Sequence, residues 1–367
     1  MTSPSPIDLS TLSACKSWLN ITNTSSDSQI QRCLTAWSTE FLRLTGRGPR
    51  NWQTATSSPF NQPTAYSEIY DGNGNNRLFL RNFPISAVSS LTIFGSAISA
   101  QTPPGSGSTG YAIDNQGRSL VIVNSSIGST GFTLYSGGPG FPRLTGGGGF
   151  PNGVQNVAVS YTAGFTAQTV TGALSTIPSA WEAQTAYASG ALISDGTYLQ
   201  QAIASGTSGA TAPSWAIQAS GTTQDGTTGL LWQNTGIAVA PYTIQIQSDT
   251  VVLTDGGVSY FSSGTPLTKV MIAPTAGQYF LVAPGIYLFA AADAGEEVLI
   301  NYTAAGTPAD IVQATVEAVG LNFKRKDWIG VQSLMMKDVG QTSYTQFAMT
   351  KSVRDVVRAY TRSSWSN

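Results

Sequence analysis

The stretch "EIYDGNGNNRLFLRNFPIS", residues 68–86, decides between two kinds of fold. The Gly-x-Gly at Gly72 and Gly74 either cradles a phosphate or turns one strand into the next. A dinucleotide fingerprint needs a third glycine three positions beyond Gly74 and a helix behind it. Arg77 stands there, and "LFLRNF" reads as a strand, so no helix dipole is aimed at a phosphate. Asp71 to Asn76 is therefore predicted to be a tight turn, with Asp71-Gly72 and Asn73-Gly74 supplying positive φ. "GGGGF" from Gly146 has no Lys-Ser/Thr after it and is not a phosphate loop either.

Upstream of this turn, the pattern is helical. Leu9, Leu12, Cys15, Trp18 and Leu19 form one stripe, and Ile30, Cys33, Leu34, Trp37, Phe41 and Leu44 form a second. Gly46 is placed to stop the second helix. Two short helices cannot bury both stripes on each other, so a third helix or a partner is expected. Downstream, "VSSLTIFG", "YAID", "SLVIV" and "VQNVAVSYTAGF" have strand composition. Residues 136–153 read as a glycine-rich loop and 166–180 as a Thr/Ala/Ser-rich linker. More strands follow over 242–303. "VAVSYTAGF" (157–165) resembles "VLINYTAAG" (298–306), which reads as a weak repeat or as an insertion that restores the same exit. Helices are predicted after Pro308, with Ile311, Ala314, Ala318 and Leu321 inward, and over "TKSVRDVVRAYTR".

Composition narrows the chemistry. The chain has 367 residues, 41% of them hydrophobic and only 10% charged, against roughly 25% charged in a typical globular domain. Thr, Ser, Gly, Gln and Asn replace the charge, as in β-rich extracellular or virion proteins. Histidine is absent, which removes the commonest general base and metal ligand. Cys15 and Cys33 read as buried free thiols, and there is no CxxC pair for zinc. Glu296 and Glu297 are adjacent, so on a strand they face opposite ways and cannot act as a carboxylate pair. No catalytic residues, metal or cofactor are expected, and the chain is read as not an enzyme. "MTSPSPIDLS" has neither a basic nor an apolar signal region, and no run is long enough to span a membrane. A soluble product of the producing cell's cytoplasm is expected.

Two groups of residues are candidate contacts. Trp181, Tyr187, Tyr198, Trp215 and Trp232 are spread over 181–236, in an order that resembles small chitin- or carbohydrate-binding modules. Exposed, they would stack on sugar rings or on a partner. In a unit this small, with little else to bury, the core is the favoured place for most of them. Basic residues are scarce from 144 to 323, where Lys269 stands alone, and eight lie between Lys324 and Arg362. Lys324, Arg325, Lys326, Lys351, Arg354, Arg358 and Arg362 are the candidates for contact with nucleic acid or with acidic partners in an assembly.

The order of these features carries a resemblance. A helical pair ends near Thr45-Gly46-Arg47. There follow "YDGNG", the "LFL" strand, "PISAV", a strand ending in "YTAGF", and then Pro308, Asp310, Ile311 and Ala314 after "NYTAAG". This order resembles the head-to-tail connector (adaptor) proteins of tailed bacteriophages, over roughly 7–95, 154–165 and 302–362. The chain is longer than typical members, and the excess reads as an insertion. The resemblance implies an α+β fold in which N- and C-terminal helices form a bundle, with a β-hairpin region and inserted β-rich domains. The implied divisions are 1–50 (N-terminal helices), 51–165 (β-rich region), 176–240 (small aromatic-rich module), 241–305 (sandwich-like segment) and 306–367 (C-terminal helices). It further implies a structural virion protein of the neck, made in the host cytoplasm. Such a protein forms a homo-oligomeric ring, a dodecamer, between the portal and the next neck or tail component (stopper or tail terminator). DNA would pass without sequence-specific contact, and no membrane would be involved. The alternative is a sugar-binding receptor or tail-fibre module built on 181–236.

Overall fold

The computed structural model describes residues 5–21, 23–47, 58–101, 110–123, 149–325, 333–336, 340–343 and 349–361. Strands hold 40% of the described residues and helices 19%. The expected helical bundle is thus overturned: the molecule is mostly β. The helices are α1 (Leu12–Leu19), α2 (Asp27–Leu44), α3 (Ala309–Arg325) and α4 (Lys351–Tyr360). At a rise of about 1.5 Å per residue, α1 and α4 run only about 12–15 Å, too short to line a bundle. α1 packs against α3, but its start is tied to a loop between strands. The Thr11 hydroxyl caps the Ala14 N–H at 3.2 Å and donates to the Ser248 carbonyl at 2.6 Å. Ser13 donates to the Gln247 side chain at 2.8 Å. Periodicity identified helical segments; it did not say that sheets would outnumber them.

The chain divides into two compact units, Leu42–Thr166 with Val357–Asn367, and Met1–Phe41 with Ala167–Val356. In the first, strands Thr64–Gly72, Gly153–Ala163, Ile85–Ile93 and Ser96–Ala97 form one sheet in that order. Arg77–Phe79, Ser119–Val123 and Gly110–Ile113 form a second. Leu78, Leu80, Leu91, Leu120, Phe150, Val157, Val159 and Tyr161 make the core. The turn at Asp71 to Asn76 hands the chain from one sheet to the other. Gly74 has φ +75° and its N–H donates to the Phe150 carbonyl at 2.7 Å, so that donor is not offered to a ligand. Gly72 permits a close crossing, because a Cβ there would lie 1.8 Å from the Pro151 carbonyl oxygen.

In the second unit, strands Val252–Tyr260, Glu297–Ala304 and Gln168–Thr176 form one sheet of a sandwich. Thr243–Gln245, Ile286–Phe289, Gln278–Ala283 and Thr268–Val270 form the other. Val258, Tyr279, Tyr287, Phe289, Val298 and Ile300 fill the space between. Fully burying an aliphatic or phenyl side chain of this size contributes about 1.5–3 kcal/mol. Gln168–Thr176 corrects the linker expectation: it pairs antiparallel with Glu297–Ala304 along its length. An aromatic module, Ser179 to Ala238, lies between Pro178 and Tyr242 in sequence. It has a five-stranded sheet ordered Thr222–Asp225, Leu230–Ala238, Tyr198–Ala204, Leu192–Ser194, Ser179–Ala180.

The two similar stretches occupy equivalent places. "VAVSYTA" and "VLINYTA" each form the middle strand of three antiparallel strands. Val157, Val159, Tyr161 and Ala163 point into one core, as Val298, Ile300, Tyr302 and Ala304 point into the other.

Candidate interaction surfaces

The five aromatic candidates fall inside or against the module's own core. Trp232 is fully buried and Tyr198 is 5% exposed, while Trp181, Tyr187 and Trp215 are half-buried. Tyr187 and Trp215 meet Trp232 edge-on, at 4.9 and 6.1 Å between centroids and 71° and 67° between planes. Sugar stacking needs a flat, open ring face; these rings are crossed and packed. The carboxylate that organises them is Asp225, 1% exposed, which takes both Trp181 and Trp232 indole N–H groups and the Gly209 N–H at 2.8 Å. Locally the sequence marks Asp225 only by the Gly226 that follows it, a turn pair.

The basic candidates divide differently. On α4, Lys351, Arg354 and Arg358 are exposed. At about 100° per residue they fall within about 60° of one another on one face, while Val353 and Val357 are buried on another. Lys324 is exposed near the end of α3, where Arg325 is the last helical residue. Lys326 and Arg362 lie outside the described residues.

Two partly buried polar clusters went unnoticed in the sequence. Glu68 accepts from the hydroxyls of Tyr70 and Tyr161, at 2.5 and 2.6 Å. Burial is the main reason both phenols titrate far above the usual range, and the Glu68 carboxylate adds to it. Asp255 meets Lys269 at 2.9 Å and the Tyr279 hydroxyl at 2.9 Å. Burial pushes the Asp255 carboxyl up. Hydrogen bonds from the Gly257 N–H, Lys269 and Tyr279, with the Lys269 charge, outweigh that and hold it below the usual value. Alternating polar residues in strands are the weak signal that could have found these pairs.

Concave space offers little chemistry. A cleft of about 310 Å³ beside strand Thr243–Gln245 is lined by Leu192, Leu199, Ile237, Ile244, Ile246 and Tyr302, among others, with no acid or base besides the phenol. A second, of about 330 Å³, contains Lys16 and Asp27, which pair with each other at 2.7 Å. Exposed apolar side chains are more informative. Met271 (85%), Ile272 (76%) and Phe261 (52%) stand out of the sandwich, from segments ("YFSSG", "VMIAPT") whose apolar residues sit among turn formers.

No family model matches the chain, and no curated protein matches it.

Proposed function

We propose that this chain is a head-to-tail adaptor of a tailed bacteriophage, a structural subunit of a neck ring between the portal and the next neck or tail component. The observation that carries this reading is the packing of α1 on α3. The helical segments that resemble the connector family lie at opposite ends of the chain. A Cβ at Gly320 would lie 3.4 Å from Trp18 and 3.5 Å from Leu19, so the two helices approach closely. Joining the chain's ends in this way lets the sandwich and the aromatic module be carried as an insertion. The amphipathic α4, with Val353 buried and Lys351 and Arg354 outward, adds a helix face suited to an acidic or phosphate-lined partner. Twelve copies in a ring would continue the portal's DNA channel during genome packaging and ejection, and DNA would slide past without base-specific contact.

The test is native mass spectrometry with negative-stain imaging of the chain mixed with portal rings. A new ring layer of uniform mass on the portal is the expected result. A chain that leaves portal rings unchanged sinks the reading.

A further inference from the structure

We propose that the end of the sandwich carrying Phe261, Glu296 and Glu297 docks the basic face of α4 from a second copy of this chain. This rests on the ring reading above and names the contact between neighbouring subunits.

Phe261 follows the strand Val252–Tyr260 and is 52% exposed. Its N–H donates to the Glu297 carbonyl at 2.8 Å, which fixes it beside the start of Glu297–Ala304. Glu296 and Glu297 are both exposed there. An apolar anchor with a charged rim is the usual anatomy of a protein contact.

The charge around it is lopsided. From 144 to 323 the acids are Glu182, Asp195, Asp225, Asp249, Asp255, Asp293, Glu296, Glu297, Asp310 and Glu317, and the one base is Lys269. Lys269 is committed to Asp255. Asp225 is held by indoles, and Asp293 by the Tyr260 hydroxyl at 2.7 Å. Among the described residues, neither Glu296 nor Glu297 meets a cation, and neither Lys351 nor Arg354 meets an anion. The whole chain has a net charge of only -1. The Glu296/Glu297 and Lys351/Arg354 surfaces carry opposite signs and two formal charges each, which is the condition for copies to associate head to tail. A negative surface repels nucleic acid and anionic lipid alike. Guanidinium suits this site in particular, because it pairs with carboxylates and stacks on an aromatic face. The two surfaces differ, so the contact is heterologous and propagates to a closed ring or a filament.

The experiment is sedimentation velocity of the full chain at about 0.05 M and about 0.5 M salt, because exposed pairs are screened over that range. Three forms are compared: wild type, Glu296→Lys/Glu297→Lys, and Lys351→Glu/Arg354→Glu, each checked by circular dichroism. Wild type is expected to self-associate at low salt and to weaken at high salt. Each reversed form alone should weaken about tenfold or more. A mixture of the two reversed forms should recover association, because each then offers what the other lacks; misfolding cannot produce that recovery. Wild-type association that ignores salt and both reversals, a wild type that stays monomeric, or a mixture that fails to recover overturns the inference. The portal assay separates the two proposals. Reversed forms that build a normal ring layer remove this contact and keep the adaptor. Charge-dependent association without portal binding does the opposite.

Discussion

Asp225 Oδ2 accepts hydrogen bonds from two tryptophans at once, Trp181 Nε1 at 2.7 Å and Trp232 Nε1 at 3.0 Å. One carboxylate thus fixes both ends of the module's aromatic core. Asp225→Ala leaves buried N–H groups unpaired, at about 1–3 kcal/mol each. The expected loss is about 3 kcal/mol or more, read by tryptophan fluorescence during urea unfolding. Asp225→Asn keeps one acceptor oxygen and should lose less. An alanine variant with the wild-type midpoint would remove Asp225 as the organising group.

The repeated strands give a paired prediction. Tyr161 accepts from the Asn82 N–H and side-chain amide at 3.2 and 3.1 Å, and Asn82 is fully buried. The equivalent Tyr302 hydroxyl makes no hydrogen bond among the described residues. Tyr161→Phe removes the acceptor of both Asn82 bonds and the donor to Glu68, and should cost about 1–3 kcal/mol; Tyr302→Phe should cost well under that. Equal midpoints for the two variants in thermal unfolding would contradict this.

How much of this was readable beforehand depended on the range of the interaction. Ile30, Leu34, Trp37 and Phe41 are all buried, because a 3.6-residue period reports a helix face without knowing its neighbour. Trp18 belongs to a similar stripe yet is 55% exposed, since periodicity does not say how far the covering helix reaches. The strand Gln168–Thr176 escaped notice because "QTVTGALST" lacks apolar alternation. Leu174, 55% exposed, is on an outer strand held by backbone bonds. The five aromatics were legible as a group, but the crossed packing of Tyr187 and Trp215 on Trp232 and the anchoring of Trp181 and Trp232 by Asp225 have no local pattern that marks them. Phe261 meets Glu297 only through pairing of strands far apart in the chain, so that surface was invisible in the sequence.

Acid should act through Asp255. Its folded carboxyl titrates below the ordinary value of 3.8. A depressed acid stabilises the fold above its unfolded pKa, and that share is lost as pH falls through the folded one. Stability should decline from about pH 4 downward, and Asp255→Asn should flatten this part of the curve. An unchanged acid limb in the variant, followed by circular dichroism, would place the sensitive group elsewhere.

Cys15 should resist thiol reagents in the native state. Burial, with smaller contributions from Asp8 and Cys33, pushes its thiol up to about 12, so at neutral pH almost no thiolate exists to react. Cys33 is only half-buried. Labelling with an aromatic disulfide should modify Cys33 first and reach Cys15 only on unfolding. Equal native rates would show that α1 opens readily.

Gly320 lies in α3 beneath Trp18. Alanine there gains about 0.5–1 kcal/mol of helix propensity. Its Cβ would sit at 3.4 Å from the indole, close to ordinary contact. Gly320→Ala should raise the melting temperature, whereas a drop would mean that the α1–α3 approach tolerates no methyl.

The backbone N–H of Tyr242 reaches the carbonyl of Pro178 at 2.8 Å. The chain therefore leaves the sandwich and comes back to it at nearly the same point, with the whole aromatic module as a detour between. A coding segment for that detour can be lost, gained or exchanged in one genetic event without moving a sandwich strand. Chains that share this sandwich could thus differ in what they carry between Pro178 and Tyr242 and in nothing else.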